Sequence, residues 1–243
     1  MIETPTDIAP ARPSATVVLE RDANEAPELF MVQRPVRAAF GAAYVFPGGV
    51  VDASDATVHG ACAGLDTALA DQRLAVDSAG LDYYVAAVRE LFEETGVLLA
   101  QTGASAKALD NCRRRINAAT LTWPEFLATN SVTLSLDALA YFSHWITPTA
   151  RTKRFTTRFF LAELPAGQTA EHDPGELTDS RWTTAEGALA AAERGEIELR
   201  LPTIKTLESL AQHKSVAALM VWAREREAAG VETIQPVLPP GPD

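Results

Sequence analysis

Three acids, Glu90, Glu93 and Glu94, are the residues of this sequence best placed to do chemistry. On a helix they stand at i, i+3 and i+4 and share one face. Like charges so arranged repel by roughly 0.2–0.5 kcal/mol per exposed pair. A hard divalent cation would offset that repulsion. Mg²⁺ suits the task because it takes oxygen ligands, keeps several waters and bridges to phosphates. Arg89 adjoins the group and can fix a carboxylate through a bidentate hydrogen bond. The plainer alternative is a solvated acidic helix face. Upstream, Phe46-Pro47-Gly48-Gly49 sets two glycines after a brief strand, where the backbone can approach a ligand closely. The alternative there is a simple turn.

The elements that must position these groups can be read from periodicity. Tyr84, Val88, Leu91 and Phe92 recur at helical spacing and predict a helix over Asp82–Thr95, closed by Gly96 as a left-handed cap. Ser14–Glu20 and Leu29–Gln33 read as a β-hairpin. Tyr44–Phe46 reads as a short strand. Ala104–Ala119 and Trp123–Thr129 read as helices, then Ala138–Thr147, Thr156–Leu164 and Leu177–Thr183 as strands. Ala185–Arg194, Pro202–Gln212 and Val216–Ala229 complete the chain as helices, with Pro202 suited to a first turn. Strands mixed with helices of these lengths predict a sheet covered by helices. Residues 1–13 read as a loose arm and 233–243 as a Pro-rich tail around a single domain, 14–232.

Composition narrows the function classes. The chain has 243 residues, with 32 Asp plus Glu against 21 Lys plus Arg, for a net charge of −11. That balance excludes a broad basic face for nucleic acid. Cys62 and Cys112 are too few for a disulfide scaffold and too far apart for a metal knuckle, and both read as inert thiols. His59, His144, His172 and His213 show no ligand spacing, and His144 reads as a structural strand residue. No apolar run reaches the roughly 18–20 residues that span a bilayer. With a polar N-terminus and no lipidation signal, the expectation is a cytoplasmic protein with no membrane partner.

Gly49, five residues, Asp55, and then Arg89-Glu90-Leu91-Phe92-Glu93-Glu94-Thr95-Gly96-Val97 resembles the Nudix hydrolase signature. The second half matches at every defined position. There are two departures. Asp55 stands where the family has Glu, and 33 residues rather than seven separate Asp55 from Arg89, so residues 56–81 look like an insertion. With Phe40 to Asp52, Ile146-Thr147-Pro148 and Arg154 to Phe160, the chain is similar to the interrupted-box branch that includes peroxisomal coenzyme A diphosphatases. The coenzyme A motif before the box is matched loosely. Arg34, Arg37 and Gly41 are present at shifted spacing, with Pro35 in place of a small residue.

The resemblance implies an α/β fold: an α/β/α sandwich with a mixed sheet, an insertion in the box and extra C-terminal helices over 184–232. It implies hydrolysis of a nucleoside diphosphate linked to another group. The leading substrate is coenzyme A or an acyl-coenzyme A; ADP-ribose, a dinucleotide or a nucleoside triphosphate is the alternative. A non-catalytic ligand-binding module is the remaining one. Glu90, Glu93 and Glu94 would hold Mg²⁺, with Mn²⁺ as a substitute. Glu176 would complete the metal and catalytic set, with Glu171 and Asp173 as rivals. Arg89, Gly96 and Asp55 would shape the box. Gly48, Gly49, Arg34, Arg37, Arg154 and Arg158 would meet the substrate, and the family leaves a homodimer open. Phe155, Phe159, Phe160 and Trp145 read as core rather than as a base-stacking platform.

Overall fold

The computed structural model describes residues 8–35 and 43–237. Strand β1 (Ala11–Arg21) runs through the middle of a mixed sheet, parallel to β9 (Arg154–Glu163) from Ala11↔Arg154 to Glu20↔Glu163. Its other edge is shared. Near its end it pairs antiparallel with β2 (Glu28–Gln33), which also pairs with β3 (Tyr44–Val45). Nearer its start it pairs with β4 (Gly48–Val50), through Thr16↔Gly48, Ala15↔Gly49 and Ser14↔Val50. The hairpin read from sequence is therefore present, and its first strand also aligns the glycine pair.

A 3₁₀ segment, Asp55–Ala61, leads to β5 (Cys62–Ala63), then to helices α1 (Thr67–Leu74) and α2 (Gly80–Thr95). The predicted insertion thus contains one helix and part of another. Helix α2 begins two residues before the periodicity indicates, for a local reason. Its first residue, Gly80, donates its backbone N–H to Asp71 Oδ1 at 2.6 Å, so α1 supplies the missing N-terminal cap. Next come β6 (Ala100–Gln101), α3 (Ala106–Asn117), α4 (Trp123–Thr129) and β7 (Thr133–Ser135). Strands β5, β7 and β6 make a small second sheet. No sequence pattern announces it, because two- or three-residue strands show no alternation.

The main sheet is completed by β8 (Ala140–Ile146), β9 and β10 (Asp179–Thr184) in the order β10-β2-β1-β9-β8-β11. Helices α5 (Ala185–Glu193), α6 (Leu201–Leu210) and α7 (Val216–Ala229) precede β11 (Thr233–Ile234). Two expectations change here. Ala11–Pro13 belong to β1 rather than to a loose arm, and Thr233–Ile234 pair in parallel with His144–Trp145 of β8 rather than starting a tail.

Alternation along β1 divides the core. Ala15, Val17 and Leu19 join Tyr84, Val88, Leu91 and Phe92 of α2 on one face. Val18 joins Phe142, Leu207, Leu219 and Ala223 on the other, under α6 and α7. The result is the expected α/β/α sandwich. Phe159, Phe160 and Trp145 are buried as read, and His144 is buried between the hydroxyls of Thr156 and Thr233 at 2.8 Å each. Burial and the Arg158 charge hold its pKa down at about 4, so it stays neutral. Burial also pushes the Cys62 thiol up to about 11.

Glu20 on β1 is fully buried and, among the described residues, neither carboxylate oxygen finds a partner. Burial, then Glu163 and Asp22, raise its pKa to about 9. The folded state therefore holds a proton that the unfolded chain releases above about pH 4.5. Stability from this group is complete below that pH and is lost as pH rises toward 9, at up to about 1.4 kcal/mol per pH unit. Glu20→Gln removes that slope. Urea denaturation at pH 6 and pH 8 should show wild type weakening more than the variant between the two. Equal weakening would mean that Glu20 is ionised in the fold.

Candidate active site

Helix α2 carries the acidic triplet on its last turns, facing Gly48 and Gly49 of β4. Asp55, fully buried, accepts from Arg89 Nε at 2.8 Å and from Nη2 at 3.0 Å. This is the bidentate pairing expected of Arg89, made with the residue that departs from the family pattern. The same Nη2 reaches Val50 O at 3.0 Å. Arg89 Nη1 then reaches Glu90 at 2.8 Å and Glu93 at 3.3 Å. One guanidinium thus ties the segment after the strand, the helix and two of the three acids together. Asp55 also accepts the Asp52 N–H at 2.8 Å, which folds the chain back under Arg89.

Glu94, 1% exposed, has a separate set of partners. It accepts the Gly48 N–H at 2.9 Å and Arg34 Nη2 at 3.2 Å, while Arg34 also donates to Gly48 O. Burial pushes Glu94 up to about 8, against Arg34 and the Gly48 N–H and with help from Glu90 and Glu176. Burial likewise lifts Glu93 to about 7, opposed by Arg89 and aided by Glu90, and raises Glu90 too. These are acids held where negative charge is costly, a state a cation would reverse.

The glycines are needed for two different reasons. Gly48 has φ +154°, and a Cβ there would sit 2.3 Å from Ala15 O of the neighbouring strand. A Cβ on Gly49 would instead sit 2.3–2.4 Å from the Glu90 carboxyl group, the movable end of a side chain. Gly48→Ala is therefore expected to destabilise the fold. Gly49→Ala should leave the melting temperature within a few degrees of wild type while shifting Glu90 and lowering kcat by at least about tenfold. Thermal melting beside a hydrolysis assay separates them. Equal loss of stability in both would show that the Glu90 contact is a packing requirement.

At the end of α2, Gly96 takes φ +78° as the left-handed cap. Just past it, a loop crosses the helix end: Glu171 N–H donates to Thr95 O at 2.9 Å and Asp173 N–H to Glu94 O at 3.0 Å. The loop thereby satisfies carbonyls a helix terminus leaves unpaired. Among its acids, Glu176 is the one whose charge raises both Glu90 and Glu94. Glu171 and Asp173 instead lie in the field of Arg113. Arg113 is a residue the sequence does not single out. It donates from Nε to Glu93 O at 3.0 Å and from Nη2 to Glu171 O at 2.9 Å, so α3 clamps loop to helix. Arg113, Arg114 and Arg115 stand in a row, and identity alone does not show which one turns inward.

The remaining basic candidates separate. Arg34 joins the acid cluster. Arg37 and Gly41 lie outside the described residues. Arg154 donates to Thr147 O at 3.1 Å and Ala9 O at 2.6 Å, fastening the start of β1 to the end of β8. Arg158 lies over the Tyr83 ring at 4.6 Å and donates to Thr156, Tyr83 and Leu74 O. Both are buried, and these contacts bind strands and helices together, with Arg158 Nε left without a partner among the described residues.

Among the described residues, no three acid, histidine or cysteine side chains are gathered into a metal cage. Glu90 and Glu93 are turned to Arg89, and Glu94 to Arg34 and Gly48. The donor chemistry nonetheless fits a hard cation: carboxylate oxygens with raised pKa values, opposite a glycine pair of β4 whose space a side chain would fill.

Comparison with known proteins agrees with this arrangement. The family profile described as NUDT19 Nudix domain matches residues 65–210. A Caenorhabditis elegans protein provisionally named nudix hydrolase 7 is 28% identical over 170 residues, 70% of this chain and 50% of that one. The human acyl-coenzyme A diphosphatase NUDT19 is 28% identical over 172 residues, 64% of this chain and 46% of that one. The chain thus spans about half the length of these curated relatives. The crystal structure of a NUDIX hydrolase from Alicyclobacillus acidocaldarius superposes with a TM-score of 0.69 at 26% identity, covering 88% of this chain and 97% of that one. Signature, sandwich and matched profile together place this chain in the Nudix hydrolase family, with the NUDT19 Nudix domains.

Proposed function

We propose that this protein is a divalent-metal-dependent diphosphatase acting on coenzyme A or acyl-coenzyme A. The products would be 3′,5′-ADP and 4′-phosphopantetheine or its acyl form. The observation that supports the reading most is the acid cluster, Glu90, Glu93 and Glu94, held against Gly48 and Gly49 of β4 by Arg89 and Arg34. Similarity to NUDT19 acyl-coenzyme A diphosphatases supports the substrate class.

Glu90, Glu93, Glu94 and Glu176 would hold the metal, Mg²⁺ or Mn²⁺. When bound, it supplies neutralisation of the diphosphate charge and a more acidic water. The chain's own residues do the rest. Arg89 keeps Glu90 and Glu93 in register against Asp55. Arg34 and the Gly48 N–H keep Glu94 beside β4. Glu176 is exposed, its charge reaches Glu90 and Glu94, and among the described residues no arginine pairs with it as with the other three, so its carboxylate can take the proton of an attacking water.

One observation favours a second substrate reading. Arg34 spends its Nη2 on Glu94 and Gly48, leaving less of it for a coenzyme A phosphate. ADP-ribose, a dinucleotide or a nucleoside triphosphate would then be the substrate. A panel of coenzyme A, acetyl-coenzyme A, ADP-ribose, a dinucleotide and ATP, each with Mg²⁺ or Mn²⁺ and resolved by liquid chromatography, tests this. Adenosine 3′,5′-bisphosphate as the dominant product supports the coenzyme A reading. Cleavage of another member without it overturns the substrate. No cleavage of any, with metal bound, would favour the ligand-binding module.

A further inference from the structure

The face of the sheet opposite the acid cluster carries a pocket of about 460 Å³ between β8, β11, α6 and α7. That volume is in the range of small-molecule sites, about 300–1,000 Å³. Three aromatic residues, Phe142, Trp145 and Trp222, line it, and Phe142 and Trp222 have ring centroids 5.4 Å apart. Leu201 and Ile234 sit at its rim, 48% and 39% exposed. Large apolar side chains left in water around a concavity mark a binding surface more often than chance exposure does.

The charges of the wall say what would fill it. Lys205 is answered by Glu208 at 2.7 Å. Among the described residues, no acid pairs with Arg226. Its Nε donates to Phe142 O at 3.1 Å and its guanidinium lies 5.3 Å from the Trp222 ring centroid, which fixes the group in place. In a chain of net charge −11 this is a locally cationic, aromatic cavity.

We propose that this pocket binds a small apolar monocarboxylate. Its acid group meets Arg226, and its hydrocarbon body lies against Phe142, Trp145 and Trp222. The site is separate from the acid cluster because the sheet stands between them, and it does not depend on which diphosphate the protein cleaves.

Octanoate, octanol and octylammonium, each titrated into the full chain below micellar concentration, test it. The readout is the tryptophan indole N–H resonances by NMR. Octanoate is expected to shift Trp145 and Trp222 saturably, more tightly than octanol, and octylammonium not at all. Arg226→Gln should weaken octanoate about tenfold and leave octanol unchanged, and Arg226→Lys should recover part of the loss. Ser209→Trp, which fills the pocket from α6, should abolish both while the far-ultraviolet circular dichroism stays unchanged. Equal affinity for octanoate and octanol, equal octanoate binding by Arg226→Gln, or no saturable shift would overturn the proposal. So would sedimentation showing a dimer that Leu201→Glu dissociates, since the pocket's occupant would then be a second copy.

Discussion

Glu94→Gln is expected to lower kcat for diphosphate hydrolysis by about 10²–10³-fold with little loss of stability. The two halves of that result follow from the same contacts. Gln keeps the volume of Glu94, and its carbonyl oxygen can still accept the Gly48 N–H at the position now 2.9 Å away. What disappears is the negative charge that answers Arg34 and would answer a cation. Burial raises the Glu94 pKa to about 8, so ionising it in the fold is costly at neutral pH. A raised acid pKa stabilises the fold only at low pH and opposes it as pH climbs toward 8. Gln removes that opposition. The variant should therefore melt at or above the wild-type temperature at pH 8 while turning over slowly. Activity within threefold of wild type would remove Glu94 from the reaction.

Arg89→Ala should act in the opposite sense, through the fold first. Arg89 and Asp55 are both buried, and losing Arg89 leaves the Asp55 carboxylate without a countercharge, held by the Asp52 N–H. Breaking such a pair by removing one partner costs about 3–5 kcal/mol, a large part of the roughly 5–15 kcal/mol that holds a domain together. The same truncation frees Glu90 and Glu93, so activity falls as well. The double variant Arg89→Ala with Asp55→Ala should lose clearly less stability than the two single losses combined, because the orphaned carboxylate is gone. Urea denaturation of the four proteins gives the coupling. Strict additivity would mean that Asp55 finds another partner and that Arg89 is not the tie between turn and helix.

Which parts of this could be read from sequence depends on how local the determining contacts are. Helix α2 was legible because Tyr84, Val88, Leu91 and Phe92 repeat with the period of the helix that buries them. The acid cluster was legible for the same reason, since three side chains on one helix face need no tertiary information. The start of α2 was not legible, because its cap, Asp71, comes from α1. Neither was the fate of Ala11–Pro13 and Thr233–Ile234: both pair with strands far away in sequence. Among the loop acids, the family resemblance favours Glu176 over Glu171 and Asp173, while the residues themselves do not separate them. They differ because the backbone of Glu171 and Asp173 is bound to the end of α2, leaving Glu176 beside Glu90 and Glu94. Alternation puts Arg154 and Arg158 on one face, but only the folded chain shows that their guanidinium groups are taken up by Ala9, Thr147, Thr156 and Leu74.

The net charge of −11 also acquires a location. Part of the acidic excess stands on one face of α2, against arginines, where a bound cation would make it a surface for diphosphate. Phosphorus NMR of coenzyme A with the protein, once with Mg²⁺ and once with chelator, tests that claim most directly. The account predicts that the diphosphate resonances give way to two phosphomonoester resonances with Mg²⁺ and persist in chelator. Conversion at the same rate in chelator, or persistence of the diphosphate despite bound Mg²⁺, would contradict it.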